Sequence, residues 1–412
     1  MTSEALADRW LRADLARAFS GVVLAMVAAA AVGLFASCNQ GRTAIGTNLG
    51  ADYGEFHAVG QLLNHYPGDH LYDLRLQDEL LHLTLPSMPE GEHLPFVYPP
   101  FVAAAFRPLA RLPLPFSFAA WLAISAAAYA QSIALVLRGS GAFLSNQERS
   151  TAWLLALSFE PFALECGLGG QLSAIGCLAV ASALALRREG RRFGCGLALS
   201  ALLYKPTLVV LIVPLLLVGR RWRELAGFAT GSATLGLLSL VVAGPSACLD
   251  FAGLMTSYGR GGGSGSEGFK LIKYVDAGAF FRLLGLPAAL AIPVALPTLG
   301  WLAVNWSRPD RGPRSDLGWA ATLCLTPVLN LYAPIYDVSL VVPALILAAL
   351  ALRKRGQTVW PTSFRWLLAT VYLSALLSPA LAGALHFQPL TPALVGMGAY
   401  LLRESLVTTQ RA

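Results

Sequence analysis

Asp52 is the first residue in the sequence whose type and position suggest chemistry. It lies in the segment GADYGEF (50–56), close behind an apolar run at 18–38. A carboxylate at a membrane surface, at the mouth of a helix bundle, can take a proton from a hydroxyl as a general base or clamp a sugar. The same position also suits a helix N-cap or a solvated loop acid. The sequence position alone leaves these interpretations open.

A lysine between two short apolar runs is the second candidate. Lys205 precedes Pro206 and lies between the runs 193–204 and 206–219. Pro206 cannot continue the backbone hydrogen bonding of the preceding helix, so it predicts a break here. A helix starting after the break would point its amide dipoles at the same spot. A cation there must face a cavity, an acid or an anion. Two interpretations of Lys205 follow. Its ammonium group binds a phosphate or pyrophosphate head group, or its side chain extends to the membrane interface.

Other polar residues lie beside apolar runs. Gln171 follows ECGLGG (165–170), whose glycines permit a tight turn between antiparallel spans. It hydrogen-bonds a sugar hydroxyl or caps the turn. Glu160, inside a span, is a protonated or paired structural acid or part of a polar core. The stretch LTPVLNLYAPIYDVSL (325–340) adds residues that either anchor the chain at the interface or line the same cavity as Asp52. These are Asn330, Tyr332, Tyr336 and Asp337.

The elements that must position these residues are membrane helices. Of 412 residues, 56% are hydrophobic and 13% charged, whereas an ordinary soluble domain is about a quarter charged. So few polar side chains cannot cover the surface of a soluble globule of this size. A disordered chain is also excluded, because disordered segments are poor in hydrophobic residues and rich in charge. With 39 glycines and 6 cysteines, collagen-like and disulfide-scaffold proteins are excluded as well. We therefore expect an all-α polytopic membrane protein.

About twelve apolar runs approach the roughly 20 residues that a spanning helix needs. They lie near 18–38, 115–138, 150–166, 171–187, 193–204, 206–219, 222–244, 284–306, 316–332, 338–352, 362–382 and 389–403. The fifth and sixth are too short for two ideal spans and predict a re-entrant or broken hairpin. We treat residues 1–412 as a single integral membrane domain.

The arginines indicate the orientation of the chain. The net charge is +7, and the arginines cluster in alternate loops. Such clusters are typical of cytoplasmic loops, so they predict that the N-terminus lies inside. We therefore interpret the positive charge as a topology signal and expect no nucleic-acid partner. Residues 39–115 then form a largely helical first outer loop with an amphipathic or re-entrant helix over 96–112. Residues 245–276 form a flexible outer loop around GRGGGSGSEG (259–268).

The signature motifs of several functional classes are absent from the sequence. The sequence has no P-loop, no dinucleotide fingerprint, no DxD in a soluble domain, and no HExxH or GxSxG motif. An ATP-driven pump or an enzyme with a soluble nucleotide-sugar domain is therefore not expected. The cysteines show no metal-ligand spacing. We expect no cofactor, and no cluster of ligand residues indicates a metal. The N-terminal apolar run is interpreted as a signal anchor in preference to a cleaved signal peptide.

The order of several short motifs resembles glycosyltransferase family 87, within the glycosyltransferase C superfamily. The similarity runs over about residues 50–360. The motifs are Asp52, HLYD (70–73), YPP (98–100), RPLARLP (107–113), Gly170-Gln171, Lys205-Pro206 and GRRW (219–222). The resemblance implies a glycosyltransferase C-like bundle in the bacterial cytoplasmic membrane, with its active site facing the periplasm. It also implies inverting transfer of a hexose, with mannose expected, from a polyprenyl-phosphate sugar to a lipid or glycan acceptor.

The resemblance also implies roles for individual residues. Asp52 would be the general base. Lys205 would bind the donor phosphate, with Lys270, Lys273 and Arg260 as further candidates. The expected sugar- or acceptor-binding residues are Tyr53, Tyr98, Gln171, Asn330, Tyr332 and Asp337. The expected partners are the donor, the acceptor and membrane lipids.

Two other functions remain open at this point. A transporter or flippase of lipid-linked sugars would also use broken helices and an intramembrane cation, although the sequence shows no inverted repeat. A non-catalytic scaffold in envelope assembly is the other. The enzyme hypothesis predicts that Asp52, Gln171 and Lys205 converge on one outward cavity open sideways to lipid.

Overall fold

The chain is helical throughout the part that the structure describes. A computed structural model describes residues 11–86, 88, 94–138, 140–259, 271–310, 312–357 and 359–407. Within these segments the only β-type pairing is three isolated bridges. The prediction of an all-α fold is confirmed for these segments.

Sixteen α-helices are found in the described segments. They are α1 (Ala13–Ala36), α2 (Tyr53–His65), α3 (Leu74–Thr84), α4 (Pro100–Phe106), α5 (Leu114–Leu137), α6 (Asn146–Leu157), α7 (Ser173–Arg188), α8 (Arg192–Ser200), α9 (Ile212–Val218), α10 (Trp222–Gly259), α11 (Ala277–Leu283), α12 (Ile292–Trp306), α13 (Gly312–Leu325), α14 (Val341–Lys354), α15 (Thr362–Leu385) and α16 (Leu390–Val407). A π-helix covers Pro161–Leu168. Short 3₁₀ turns cover Gly68–His70, Leu109–Arg111, Ser140–Ala142, Ala201–Tyr204, Pro206–Val209, Ala288–Ala291 and Ile335–Leu340.

Six of these described helical stretches are long and apolar enough to cross a membrane. They are Ala13–Ala36, Leu114–Leu137, Trp222–Thr256, Ala288–Trp306, Ile335–Lys354 and Thr362–Leu385. The predicted count of about twelve spans is not confirmed. The other apolar runs also contain helices, but these are shorter or more polar. For example, α7 has 16 residues, which gives a helix about 24 Å long, whereas the hydrocarbon core is about 30 Å thick.

The predicted break at Lys205 is present. The 3₁₀ turn Ala201–Tyr204 ends there, Lys205 has extended dihedrals (φ −137°, ψ 92°), and a second 3₁₀ turn, Pro206–Val209, follows. The helix expected to start directly after the break is replaced by this four-residue turn. A single turn aligns few peptide dipoles, so the backbone contributes little positive potential at Lys205.

The two predicted outer loops differ in structure. Residues 39–115 contain α2, α3 and α4, in keeping with a helical loop. In contrast, α10 continues to Gly259 across a break at Gly244 (φ 76°, ψ 173°), so residues 245–259 are helical where a flexible loop was expected. Pro245 favours this restart because a proline in the first turn of a helix loses no hydrogen bond. The glycine-rich tract lies mostly outside the described residues.

A buried ionic network lies at one end of α7. Arg187 donates to Asp310 at 2.9 Å and to Asp316 at 2.8 Å. Asp310 also pairs with Arg192 and Arg221. Burial alone would raise the pKa of Asp310, but the facing guanidinium groups and their hydrogen bonds hold it well below its usual range. These arginines were predicted to indicate the orientation of the chain. Through their shared partner Asp310 they also connect three loops.

Candidate functional site

Two glycine turns pack against each other where α2 begins. Gly50 and Gly170 have φ of 74° and 77°, a region that favours glycine. A Cβ atom on Gly170 would lie 2.6 Å from Tyr53 Cβ and 3.0 Å from the Gly50 carbonyl oxygen. The Asp52 N–H donates to the Gly169 carbonyl at 3.1 Å. This close approach brings Asp52 against the turn that carries Gln171.

A chain of hydrogen bonds orients the Asp52 carboxylate. Gln171 Nε2 donates to Asp52 Oδ2 at 2.6 Å, and Gln171 Oε1 accepts from the Tyr98 hydroxyl at 2.9 Å. Tyr72 in turn donates to the Tyr98 carbonyl at 2.6 Å. Because Oε1 faces a hydroxyl donor, the NH₂ end of the amide is directed at Asp52. Two aromatic hydroxyls from the 39–115 segment thus fix the amide that holds the acid.

The Tyr98 hydroxyl is held as a proton donor. Burial raises the pKa of Tyr98 well above its usual value, and the neighbouring carboxylates of Glu55, Asp337 and Asp52 raise it further. The phenol therefore stays protonated over the ordinary pH range and continues to donate to Gln171.

Lys205 forms a buried ion pair. Its Nζ atom lies against Asp337 Oδ2, while Asp337 Oδ1 accepts from the Ser173 hydroxyl at 3.1 Å. Asp337 is only 1% exposed and Lys205 8%. Asp337 was expected to bind sugar or acceptor. In this structure its two oxygens accept from Ser173 and from Lys205.

Aromatic rings enclose the same ammonium group. Lys205 Nζ lies 5.1 Å from the centre of the Tyr332 ring and 4.9 Å from that of Tyr336, distances at which a cation is attracted to a ring face. Asn330 holds this arrangement in place. Its Nδ2 donates to the Thr207 carbonyl at 3.2 Å, and its Oδ1 accepts the N–H groups of the next two residues.

The two groups of contacts form one cluster. Gln171 and Ser173 are two residues apart, so their Cα atoms lie within about 7 Å of each other. Gln171 contacts Asp52, and Ser173 contacts the partner of Lys205. We call this set the Asp52 cluster. It consists of Asp52, Glu55, Tyr98, Gln171, Lys205 and Asp337.

Glu55 was not predicted as a site residue. It is 8% exposed and close enough to Asp52 and Lys205 for both to act on it electrostatically. The signal was its position three residues after Asp52, which places both side chains in the first turn of α2. The sequence could not show that this helix buries one carboxyl beside another.

The remaining predicted residues make other contacts or lie outside the described residues. Tyr53 is fully buried, and its hydroxyl pairs with Ser117 at 2.7 Å, so it packs α2 against α5. Lys273 is half exposed, and its Nζ atom lies 3.7 Å from Glu165 Oε2. Glu165 belongs to the π-helix that precedes Gln171. Arg260 and Lys270 lie outside the described residues. Within the described segments no group of three or more His, Cys, Asp or Glu side chains has a metal-binding arrangement.

An apolar groove runs beside the cluster. It has a volume of about 390 Å³ and is lined mainly by carbon atoms of three segments. Its lining includes Pro99 and Pro100, Leu203 and Pro206, and residues of α10 between 232 and 251. None of the six cluster residues is in this lining, but Pro99 and Pro206 are the chain neighbours of Tyr98 and Lys205.

The chain is similar to a known protein family. A family model described as glycosyltransferase family 87 matches residues 96–329, more than half of the chain. No curated protein and no solved structure matches the sequence. The matched range contains Gln171 and Lys205, whereas Asp52 lies before it and Asp337 after it. The match confirms the resemblance inferred from the short motifs.

Proposed function

Because the chain belongs to glycosyltransferase family 87, it is a membrane glycosyltransferase, and we propose that it uses a polyprenyl-phosphate sugar. In this proposal it transfers a hexose, mannose first among candidates, to a hydroxyl of a lipid or glycan acceptor. The reaction takes place at the outer face of the bacterial cytoplasmic membrane. The observation that carries the proposal is the hydrogen bond of 2.6 Å between Gln171 and Asp52, in the same cluster as the ammonium of Lys205.

Asp52 is the proposed general base. Its carboxylate takes the proton of the acceptor hydroxyl, whose oxygen forms a bond to the anomeric carbon. The bond from that carbon to the donor phosphate breaks, and its electron pair stays on the phosphate. Attack opposite the leaving group inverts the configuration. Gln171 fixes the carboxylate so that little reorganisation is needed when the proton moves.

Lys205 is the proposed partner of the leaving phosphate. An ammonium group has three N–H donors, and Asp337 takes one of them. The others remain for phosphate oxygens, whose negative charge grows as the bond to the sugar breaks. Tyr332 would stack on the sugar, because one face of an aromatic ring suits the C–H face of a hexose, and Asn330 holds that tyrosine in place.

The apolar groove supports a lipid-linked donor. It lies on α10, in a stretch that is apolar enough to cross a membrane. Other parts of the protein leave most of this stretch uncovered. A polyprenyl chain lying there would have its phosphate next to Pro206 and so beside Lys205. A soluble nucleotide-sugar donor would gain nothing from such an apolar surface.

The test compares transfer by three purified proteins. Labelled hexose on a polyprenyl phosphate is supplied with a membrane glycolipid extract to wild type, Asp52→Asn and Asp69→Asn. Asp69 is an exposed acid of the same segment and serves as the matched control. Removal of a general base should lower the rate by about 100- to 10,000-fold in Asp52→Asn, while Asp69→Asn keeps the wild-type rate.

Two results would contradict the proposal. Equal transfer by wild type and Asp52→Asn would remove Asp52 as the base. Binding of the lipid-linked sugar without transfer by wild type would favour a transporter or flippase.

A further inference from the structure

Glu55 carries a largely buried carboxyl group close to Asp52 and Lys205. It is 8% exposed, and no hydrogen bond to its side chain is found among the described residues. Buried acids are costly unless they are paired or hydrogen-bonded. Such a group next to Asp52 and Lys205 points to a partner that is supplied from outside the chain.

The obvious structural role of Glu55 is not realised. Glu55 is the third residue of α2, where a glutamate can reach back to the N-cap N–H in a capping box. Here that N–H, on Asp52, donates to the Gly169 carbonyl instead, and α2 has no side-chain cap. A complete capping box does occur elsewhere in the chain, between Ser145 and Glu148. Helix capping therefore does not account for the Glu55 carboxyl group.

The charges around Glu55 favour its neutral form. The described groups that act on it are Asp52 from its own helix and Lys205 from the helix break, with Tyr98 facing it from the 96–99 segment. Lys205 is already paired with Asp337. Burial raises the pKa of Glu55 well above its usual value, Asp52 raises it further, and Lys205 only partly opposes them.

We propose that Glu55 acts as a neutral carboxylic acid that hydrogen-bonds hydroxyls of the transferred hexose, and this role rests on the proposed transferase function. Its O–H donates to one sugar oxygen, and its C=O accepts from a neighbouring hydroxyl. A neutral acid serves both purposes, whereas a carboxylate could only accept and would repel the donor phosphate. Glu55 is thus a sugar-specificity residue, separate from the base Asp52.

Three variants separate the chemistry of the side chain from its shape. Glu55→Gln keeps one donor and one acceptor at similar size, and should keep kcat/KM for the donor within about threefold of wild type. Glu55→Leu keeps the size without the hydrogen bonds, and should lower kcat/KM by about 10- to 100-fold. Glu55→Asp keeps the chemistry with a shorter reach and should lie between them. Thermal unfolding in detergent checks that each variant is folded.

The pH profile distinguishes this role from a packing role. Wild-type transfer should fall on an alkaline limb as Glu55 ionises, because its pKa is raised, and this limb should be absent in Glu55→Gln. Identical limbs in the two proteins would overturn the proposal. So would a folded Glu55→Leu variant with the wild-type kcat/KM.

A spectroscopic readout does not depend on activity. The infrared difference spectrum of wild type minus Glu55→Gln at neutral pH should contain the C=O band of a protonated carboxyl. A carboxylate band in its place would refute the neutral acid even if transfer were observed. If wild type shows the protonated band without any transfer, the neutral acid stands and the proposed transferase function fails.

Discussion

Lys205 and Asp337 are 132 residues apart in the chain and form the most buried ion pair of the candidate site. Removal of one member of a buried pair leaves the other charge without compensation, which is strongly destabilising. A loss of activity in a single variant of Lys205 would therefore mix two effects, lost folding and lost chemistry. The pair itself supplies the means to separate them.

The prediction at the residue scale concerns single and double variants. Lys205→Met should lower the free energy of unfolding by about 3–5 kcal/mol, since Asp337 is then buried without its partner. Lys205→Met with Asp337→Asn should recover most of this stability, because the amide still accepts from Ser173. If Lys205 binds the phosphate, the double variant should still transfer sugar about 100- to 1,000-fold more slowly. Thermal unfolding and transfer assays on both proteins check this.

Recovery of transfer in the double variant would show that Lys205 only supports the structure. Asp337→Asn alone is the matched control. It keeps Lys205, and its thermal unfolding must also be measured because the lysine then lacks its buried partner. Per folded protein, it should lose less activity than either protein that lacks the lysine.

At the scale of elements, the site depends on two turns that meet without side chains between them. Gly50 and Gly170 each adopt a left-handed conformation, and neither has room for a Cβ atom. The π-helix Pro161–Leu168 leads into the second turn, and such helices are common near functional sites. The distance between Asp52 and Gln171 is therefore set by backbone packing.

A methyl group at Gly170 should disturb this contact. Gly170→Ala would place its Cβ 2.6 Å from Tyr53 Cβ, so α2 must move away from the turn. We expect lower thermal stability together with a large loss of transfer, as Gln171 separates from Asp52. Thermal unfolding and transfer rates measure the two effects.

Gly190 provides the control for backbone strain. It also has a positive φ, 76°, but nothing lies within 4 Å of the position of its Cβ. Gly190→Ala should cost only the left-handed conformation, about 1–2 kcal/mol, and leave transfer unchanged. Equal effects of the two substitutions would mean that strain, and not the contact with α2, matters at Gly170.

At the scale of the whole molecule, two polar clusters lie at opposite ends of the same helices. α7 connects Ser173, in contact with Asp337, to Arg187, in contact with Asp310. The stretch Ile335–Lys354 runs from Asp337 to the basic residues at its end. The arginine-rich end matches the expected cytoplasmic side, which would place the Asp52 cluster outside.

Labelling in intact cells tests this orientation. In a Cys38→Ser, Cys248→Ser background, Asp69→Cys and Glu189→Cys each introduce a thiol at an exposed position. A membrane-impermeant maleimide should label Asp69→Cys in intact cells and Glu189→Cys only after permeabilisation. The reverse pattern would place the candidate site in the cytoplasm and exclude a donor that arrives from the outer leaflet.

The sequence was informative wherever composition or a single residue type determines the local structure. The excess of apolar over charged residues predicts a membrane protein, because few other environments accept so much apolar surface. Pro206 predicts the break at Lys205, since proline ends the hydrogen bonding of the preceding helix. The order of short motifs indicated the family. The number of spans was less predictable, because a buried helix and a spanning helix have similar composition.

Only the tertiary structure determined which side chains meet. Gln171 reaches Asp52 across 119 residues, and Asp337 pairs with Lys205 across 132. Glu55 becomes a candidate only because the fold brings it within electrostatic reach of Tyr98 and Lys205. Contacts between distant segments depend on how whole helices pack, and a local pattern of residue types does not encode that packing.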